Sequence, residues 1–323
     1  MENKTRIAII GAGALTQQVY IPILKSMNDV FEVSHFCDSN ILLLQKAQQD
    51  FPNAITTQDY TSILFSDTDA VLIVLPNFLH AMVSQHFLKL KIPVLVEKPM
   101  ANTVEECNEM IHAHQQFNTT LCVGYVRRFF PLTDYIQYCI RENVYGQLKS
   151  IDLEEGFVFD WKIQSDYLLK KEKSGGGVMM DTAVHSLDQI IYWLGYPDHL
   201  NYNDDYQGGV ESTAELKLQY KVTEVFAKYS RIKPLKNSYI FTFEKAIITA
   251  QHIANTTLHI KFNNNIQSTI NLLHDNEVVN TKKAFQLQLL DFRDSILNNH
   301  NSKINGESCA LTTQLINQCY ASR

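Results

Sequence analysis

The sequence predicts an α/β chain: an N-terminal doubly wound parallel sheet, then an α+β domain with a large, mostly antiparallel open sheet. Three observations predict it. Strand and helix signals alternate along the N-terminal part of the chain. Two strand-length stretches there, 70–75 and 93–96, are apolar throughout, as strands covered on both faces must be. Beyond about Ser212, strand follows strand with short turns, leaving no length for the crossovers that parallel pairs need.

The elements follow in order. A β-rich run at 6–10 meets a glycine turn and a helical stretch at 14–27. The next strand, 31–37, ends at Asp38, and 41–50 reads as a helix. Strand 70–75, helix 80–90, strand 93–96, helix 104–117 and strand 121–124 complete the alternation, which implies right-handed crossovers in one sheet. After Tyr125 the rhythm changes: a helix at 132–142, a strand at 148–159, a glycine-rich turn, and a strongly apolar helix at 180–194. Period-two alternation marks half-buried strands at 215–220 and 225–229, continued at 239–243 and 247–250, before helices at 284–297 and 311–321. The expected division is residues 1–122 for the first domain and 123–323 for the second, and there is no internal repeat.

Composition narrows the partners. The 323 residues are 45% hydrophobic and 19% charged, with net charge −6 and no long basic run. That disfavours nucleic acid and anionic membranes and suits a small-molecule ligand. No apolar run is long enough to span a bilayer, and the N-terminus lacks a signal-peptide pattern. The six cysteines, Cys37, Cys107, Cys122, Cys139, Cys309 and Cys319, form no CxxC pair. They read as reduced thiols in a cytoplasmic protein.

Chemistry concentrates in a few segments. Ile7 to Thr16 is a strand running into Gly11-Ala12-Gly13 and a helix. Gly11 permits the tight turn, and Gly13 lets backbone approach a pyrophosphate at the helix start, beside Ala14 and Leu15. Thr16 stands where a third glycine is usual, implying a displaced helix or a compensating small neighbour. Asp38, ending the second strand, suits the adenosine ribose hydroxyls and repels a 2′-phosphate, which favours NAD over NADP; a helix cap or solvated strand end is its bland alternative. Glu97-Lys98-Pro99 lies at the C-terminal end of a buried strand, the edge where ligands bind. Lys98 there can donate to a substrate oxygen, a cis peptide at Pro99 would aim it inward, and a structural ion pair is the competing reading. Gly175 to Gly177 opens the apolar helix, where glycines allow close approach and leave amide donors exposed. On that helix Asp181 and His185 are one turn apart and share a face, which Asp188 continues. A buried, hydrogen-bonded histidine is the alternative for His185. An Asp–His pair also suggests a metal, but no third ligand has suitable spacing, so none is expected. Tyr125, Arg127 and Arg128 leave the last strand of the first domain, one arginine meeting substrate or supporting Glu97 and the other solvated. Trp161 and Lys162 precede the glycines and could line a sugar pocket or pack on their own domain.

Val94 to Pro99, Gly124 to Pro131, and Gly175 to Asp188 together resemble the signatures of the Gfo/Idh/MocA family, named for glucose–fructose oxidoreductase and inositol dehydrogenase. Leu75-Pro76-Asn77 with His80 also matches. The resemblance runs from Ile7 to the C-terminal helix, with Thr16 its clearest departure. It implies a Rossmann domain binding NAD(P) through Gly11, Gly13, Ala14, Leu15, Asp38, Pro76, Asn77, His80, Glu97 and Lys98. It implies Lys98 and His185 as catalytic residues, with Asp181 contacting substrate or orienting the site. Tyr125, Arg128 and Trp161 are the further substrate residues. The implied reaction is hydride transfer at a secondary alcohol or ketone of a sugar, cyclitol or nucleotide-sugar, in a homo-dimer or tetramer joined through the C-terminal sheet. A redox-neutral, NAD-dependent lyase or glycosidase of the same family is one alternative. A non-catalytic dinucleotide-binding regulator is the other.

Overall fold

The computed structural model describes residues 4–158, 169–251, 256–273 and 281–323. Two compact units make up the chain: Met1–Tyr125 with Phe285–Thr313, and Val126–Ala284 with Gln314–Arg323.

In the first unit, β1 (Thr5–Ile10), β2 (Phe31–Cys37), β3 (Ile55–Thr57), β4 (Ala70–Ile73), β5 (Val94–Val96) and β6 (Leu121–Val123) form a sheet in the order β3-β2-β1-β4-β5-β6. All five strand pairings are parallel. The order reverses beside β1, and the carboxyl ends on either side of such a reversal form the crevice where ligands bind in doubly wound sheets. β4, β5 and β6 are buried along their whole length. Local chemistry sets the helix ends. Asn40 caps Ile41–Asp50 by accepting from the Leu42 amide. Thr103 and Glu106 make a reciprocal capping box at the start of Val104–Phe117. The strand expected at 70–75 stops at Ile73, and β3 has no clear sequence signal.

The first unit also claims a segment expected in the second. Val123 donates its amide to the Ile304 carbonyl at 2.9 Å, and Cys122 bridges Asn305. A Cβ on Gly306 would lie 2.9 Å from Leu121. The edge strand β6 is therefore covered by its own chain, which removes an open edge. That is why Phe285–Thr313 belongs here, against the expected cut at 122/123.

In the second unit, β7 (Leu148–Gly156), β8 (His199–Asp204), β9 (Thr213–Gln219), β10 (Glu224–Ser230), β11 (Ser238–Phe243), β12 (Ala246–Gln251), β13 (Thr257–Phe262) and β14 (Gln267–Asn271) form one sheet, ordered β14-β13-β12-β11-β7-β10-β9-β8. Among the described strands of this sheet, only β7 and β10 pair in parallel; the helical stretch ending at Leu194 lies in the long crossover that such a pair requires. Burial alternates strictly along β9 and β11, so one face meets the helix Val184–Leu194. Trp193 lies edge-on against Tyr239 and Phe241, with centroids 5.7 and 5.4 Å apart. The other face carries ion pairs between neighbouring strands, Lys217–Glu224 and Lys228–Glu215, each at 3.0 Å. β8 was not foreseen.

No helix among the described residues is long and apolar enough to cross a membrane. All six cysteines are buried and none of them forms a disulfide.

Candidate active site

The glycine turn after β1 has the geometry that a dinucleotide needs. Gly11 has φ +104°, and a Cβ on it would lie 2.1 Å from the Val74 carbonyl oxygen, so no side chain fits. Gly13 faces open space, with nothing within 4 Å of a Cβ. Gly13, Ala14 and Leu15 are partly exposed where the helix begins. Asp38 is organised by the same turn: its Oδ2 accepts from the Ala12 amide and its Oδ1 from the Asn40 amide, both at 2.8 Å. Both oxygens keep lone-pair capacity for ribose hydroxyls. An open cradle at Gly13 beside a fixed carboxylate fits NAD. The displaced helix expected from Thr16 takes a specific form: Thr16–Tyr20 is a π-helical turn that continues into Ile21–Ser26. The buried Thr16 hydroxyl donates to the Gly11 carbonyl at 2.6 Å. The wider turn accommodates the side chain that a glycine would have spared.

At the end of β5, Glu97 and Lys98 behave differently. From Val94 through Ala101 every residue is buried except Lys98. Glu97, expected at the cofactor, is 6% exposed. Its carboxylate accepts from the Tyr20 hydroxyl and, at 3.1 Å, from the Lys98 amide. Burial pushes its pKa up, while Tyr20 and the Lys98 charge oppose that. The Lys98–Pro99 peptide is cis, as the sequence suggested.

His80 is a correction. It has no exposed surface, and its two ring nitrogens meet the Leu75 and Pro99 carbonyls at 2.8 Å each. A neutral ring donates to one of these carbonyls only, and with no exposed surface His80 packs between the turn after β4 and the turn after β5 rather than facing a ligand. Burial lowers its pKa, with the Lys98 charge acting in the same direction. Of its neighbours, Pro76 is partly exposed and Asn77 buried. Tyr125, expected at the substrate, is also fully buried.

In the second unit the apolar helix opens with a π-helical turn, Met179–Ala183, leading into Val184–Leu194. From Gly176 through Ile191 only Asp181 and His185 escape burial. The two residues read from the sequence as sharing a face are thus the partly exposed ones of an otherwise buried stretch. Asp188 does not continue it: Asp188 is fully buried, and its carboxylate takes a bidentate pair from Arg128 at 2.6 and 2.8 Å. Arg128 is 1% exposed and so anchors this helix instead of meeting substrate. Arg127, the other arginine, is not solvated but bonds Glu155 at 2.7 and 3.1 Å. Leaving either carboxylate without its arginine would strand a buried charge, a cost of about 3–5 kcal/mol.

The glycines before this helix serve the chain itself. A Cβ on Gly176 would lie 1.9 Å from the Tyr320 hydroxyl, and one on Gly177 would lie 1.9 Å from the Glu211 carbonyl oxygen. Glu211 is buried, and its Oε1 accepts from the Gly177 amide at 2.9 Å, the Met179 amide at 3.0 Å and the Tyr320 hydroxyl at 2.7 Å. The amide donors expected for a ligand are taken. Nothing in the sequence around Glu211 or Tyr20 signalled either role. Trp161 and Lys162 lie outside the described residues, and no metal-binding cluster occurs among those described.

Residues 5–125 match the model of an oxidoreductase family with an NAD-binding Rossmann fold, and residues 134–272 match a GFO/IDH/MocA C-terminal domain. Among curated proteins, D-glucoside 3-dehydrogenase of Escherichia coli is 29% identical over 196 residues, 59% of this chain and 54% of that protein. The 2,7-anhydro-N-acetylneuraminate hydratase of the same organism is 30% identical over 128 residues, 39% of this chain and 34% of that protein. The chain spans about half or less of the length of these relatives. Among solved structures, an aldose–aldose oxidoreductase from Caulobacter crescentus, complexed with glycerol, superposes with TM-score 0.87 at 19% identity, covering 99% of this chain and 97% of that one; this likeness is one of fold.

Proposed function

Because the chain belongs to the GFO/IDH/MocA oxidoreductase family, we propose that it is an NAD-dependent dehydrogenase acting on a secondary alcohol of a sugar, cyclitol or nucleotide-sugar. The observation that carries this reading is the pair of openings. Lys98 is the one unburied residue of its segment, and Asp181 with His185 are the two unburied residues of theirs. Each segment buries all but its proton-carrying side chains, so these keep surface that a ligand can reach. Gly11, Gly13, Ala14, Leu15 and Asp38 would hold the dinucleotide, which supplies the hydride acceptor when bound. His185 takes the proton of the reacting hydroxyl. Lys98 places positive charge at the oxygen as it becomes a carbonyl. Asp181 orients the hydroxyl or the imidazole. Asp38 favours NAD over NADP.

The outer face of the second sheet, with its strand-to-strand ion pairs, is assigned as the contact of a homo-dimer or tetramer; a monomer by light scattering at micromolar concentration would remove that part. Six buried thiols suit a reducing compartment, so the cytoplasm is the assigned location. A second reading draws on the relative named a hydratase: a redox-neutral enzyme using the same residues and releasing no NADH.

The test is NADH fluorescence across a panel of free and nucleotide-linked sugars. Wild-type turnover should fall by about 10²–10⁴ in Lys98→Ala and in His185→Ala, the range for a general acid–base group, while NAD still binds. No NADH from any sugar, with substrate consumed by mass spectrometry, would replace this reading by the redox-neutral one. Binding of NAD with no substrate consumed would replace both by a dinucleotide-binding regulator.

A further inference from the structure

Tyr20 closes the π-helical turn that follows the glycines. Its ring is fully buried and sits edge-on against Phe285, with centroids 5.4 Å apart. Its hydroxyl donates to Glu97 Oε1 and accepts from the Gln288 side-chain amide at 3.2 Å. The other Glu97 oxygen accepts the Lys98 amide. Gly124 leaves the carboxyl room, since a Cβ there would lie 3.1 Å from Glu97 Cδ. A continuous hydrogen-bonded chain therefore runs Gln288–Tyr20–Glu97–Lys98, all within the first unit.

We infer that Tyr20 is a positioning residue of the proposed reaction: through Glu97 it fixes the peptide that carries Lys98 and keeps a carboxylate beside that ammonium. The inference rests on the dehydrogenase reading of Lys98. A buried carboxylate needs donors to stay charged. Among the described residues, the ionisable groups acting on Glu97 are Tyr20 and Lys98, and the one acting on Tyr20 is Glu97. His80 also feels the Lys98 charge, and its burial favours the neutral ring. Burial and Glu97 together push the Tyr20 pKa well up, so the phenol remains a donor throughout the working range. Tyr20 belongs to the helix that receives the dinucleotide, and Glu97 to the turn that presents Lys98. One hydrogen bond thus links cofactor seat and proton carrier.

The test uses the full-length protein labelled with 13C at glutamate carboxyls, without cofactor. The Glu97 signal is identified by its loss in Glu97→Gln. Tyr20→Phe keeps the ring against Phe285 and removes one donor. Glu97 should then titrate about one pH unit higher, the scale of one hydrogen bond to a charged group. Gln288→Leu, which weakens the chain one step further out, should shift it the same way by less; it stands as the test if Tyr20→Phe does not fold. In turnover, Tyr20→Phe should lower kcat roughly tenfold with little change in KM for NAD. An unchanged Glu97 midpoint in both variants overturns the inference. A shifted midpoint in a protein that turns over no sugar leaves the hydrogen-bond chain standing and overturns only the dehydrogenase reading.

Discussion

The chain contains two glycine turns, each leading into a π-helical turn, and they do opposite things. At Gly11–Gly13 one glycine is forced by the neighbouring backbone of Val74, and the other faces open space. At Gly175–Gly177 both of the closely packed glycines are filled from within, by Tyr320 and by the backbone of residue 211. The first turn leaves room for a ligand beside a carboxylate, Asp38. The second gives its amides to a carboxylate of its own, Glu211. Glycine supplies close approach in both, and what approaches is decided elsewhere in the chain.

The largest expected effect tests that difference directly. Gly177→Ala drives a methyl group into the Glu211 carbonyl, which cannot swing aside as a side chain would. Its cost should exceed about 3 kcal/mol, the upper part of the overpacking range, read by urea denaturation. Gly13→Ala should leave the denaturation midpoint almost unchanged but weaken NADH binding about tenfold, because its methyl enters the cradle. If both variants destabilise equally, or if Gly13→Ala binds NADH like wild type, the two turns are not the different objects described above. Next in size is Glu211→Ala. It leaves the buried Gly177 and Met179 amides without their acceptor, at about 2–3 kcal/mol. Asp38→Ala, by contrast, should spare stability by comparison and reduce NADH affinity more than Glu211→Ala does.

Much of this was legible in the sequence, and the reason is local. β2, the helix Ile41–Asp50 and the helix Val104–Phe117 begin and end where the pattern places them, because strand and helix periodicity are short-range signals, and the structure adds local caps at Asn40 and at Thr103 with Glu106. Lys98, Asp181 and His185 stand out in the sequence against apolar segments, and the structure leaves all three partly exposed. What failed was every inference about a partner distant in sequence. Arg128 was read as a substrate contact because nothing near it announces Asp188. His80 was read as a cofactor contact because the carbonyls of Leu75 and Pro99 meet it only after two turns come together. The glycines at 175–177 looked like a ligand site because Tyr320 and Glu211 lie far along the chain. Tyr20 drew no attention at all, since a tyrosine in an apolar helix reads as core.

Thr16 gives the next test, of about 1 kcal/mol. Thr16→Ala removes the hydroxyl that bonds the Gly11 carbonyl, and Thr16→Ser should restore it. Should Thr16→Gly bind NADH as tightly as wild type, the wide turn merely accommodates a side chain; tighter binding would show that the turn compromises the cradle.

The smallest effect separates the two units by pH. In the first unit, His114 Nε2 lies 3.1 Å from Glu307 Oε1, tying the helix Val104–Phe117 to the helix Gly306–Ala321. The Glu307 contact raises the His114 pKa and holds the Glu307 carboxyl down at about 2. A raised histidine pKa stabilises fully below the unfolded value, near ~6.5, and that contribution is lost as pH rises through the folded value. A depressed glutamate pKa stabilises above its unfolded value and is lost as pH falls through about 2. The pair therefore contributes fully only on the weakly acidic side of neutrality. The thermal midpoint of the first unit should decline modestly as pH rises above ~6.5, and His114→Gln should flatten that decline. The second unit buries Arg127–Glu155 and Arg128–Asp188, pairs whose arginines keep their charge throughout this range. Calorimetry that resolves two transitions, with only one of them sloping above neutrality, would extend the contrast of the two turns to the units that carry them. A slope shared by both transitions would show that the units unfold as one.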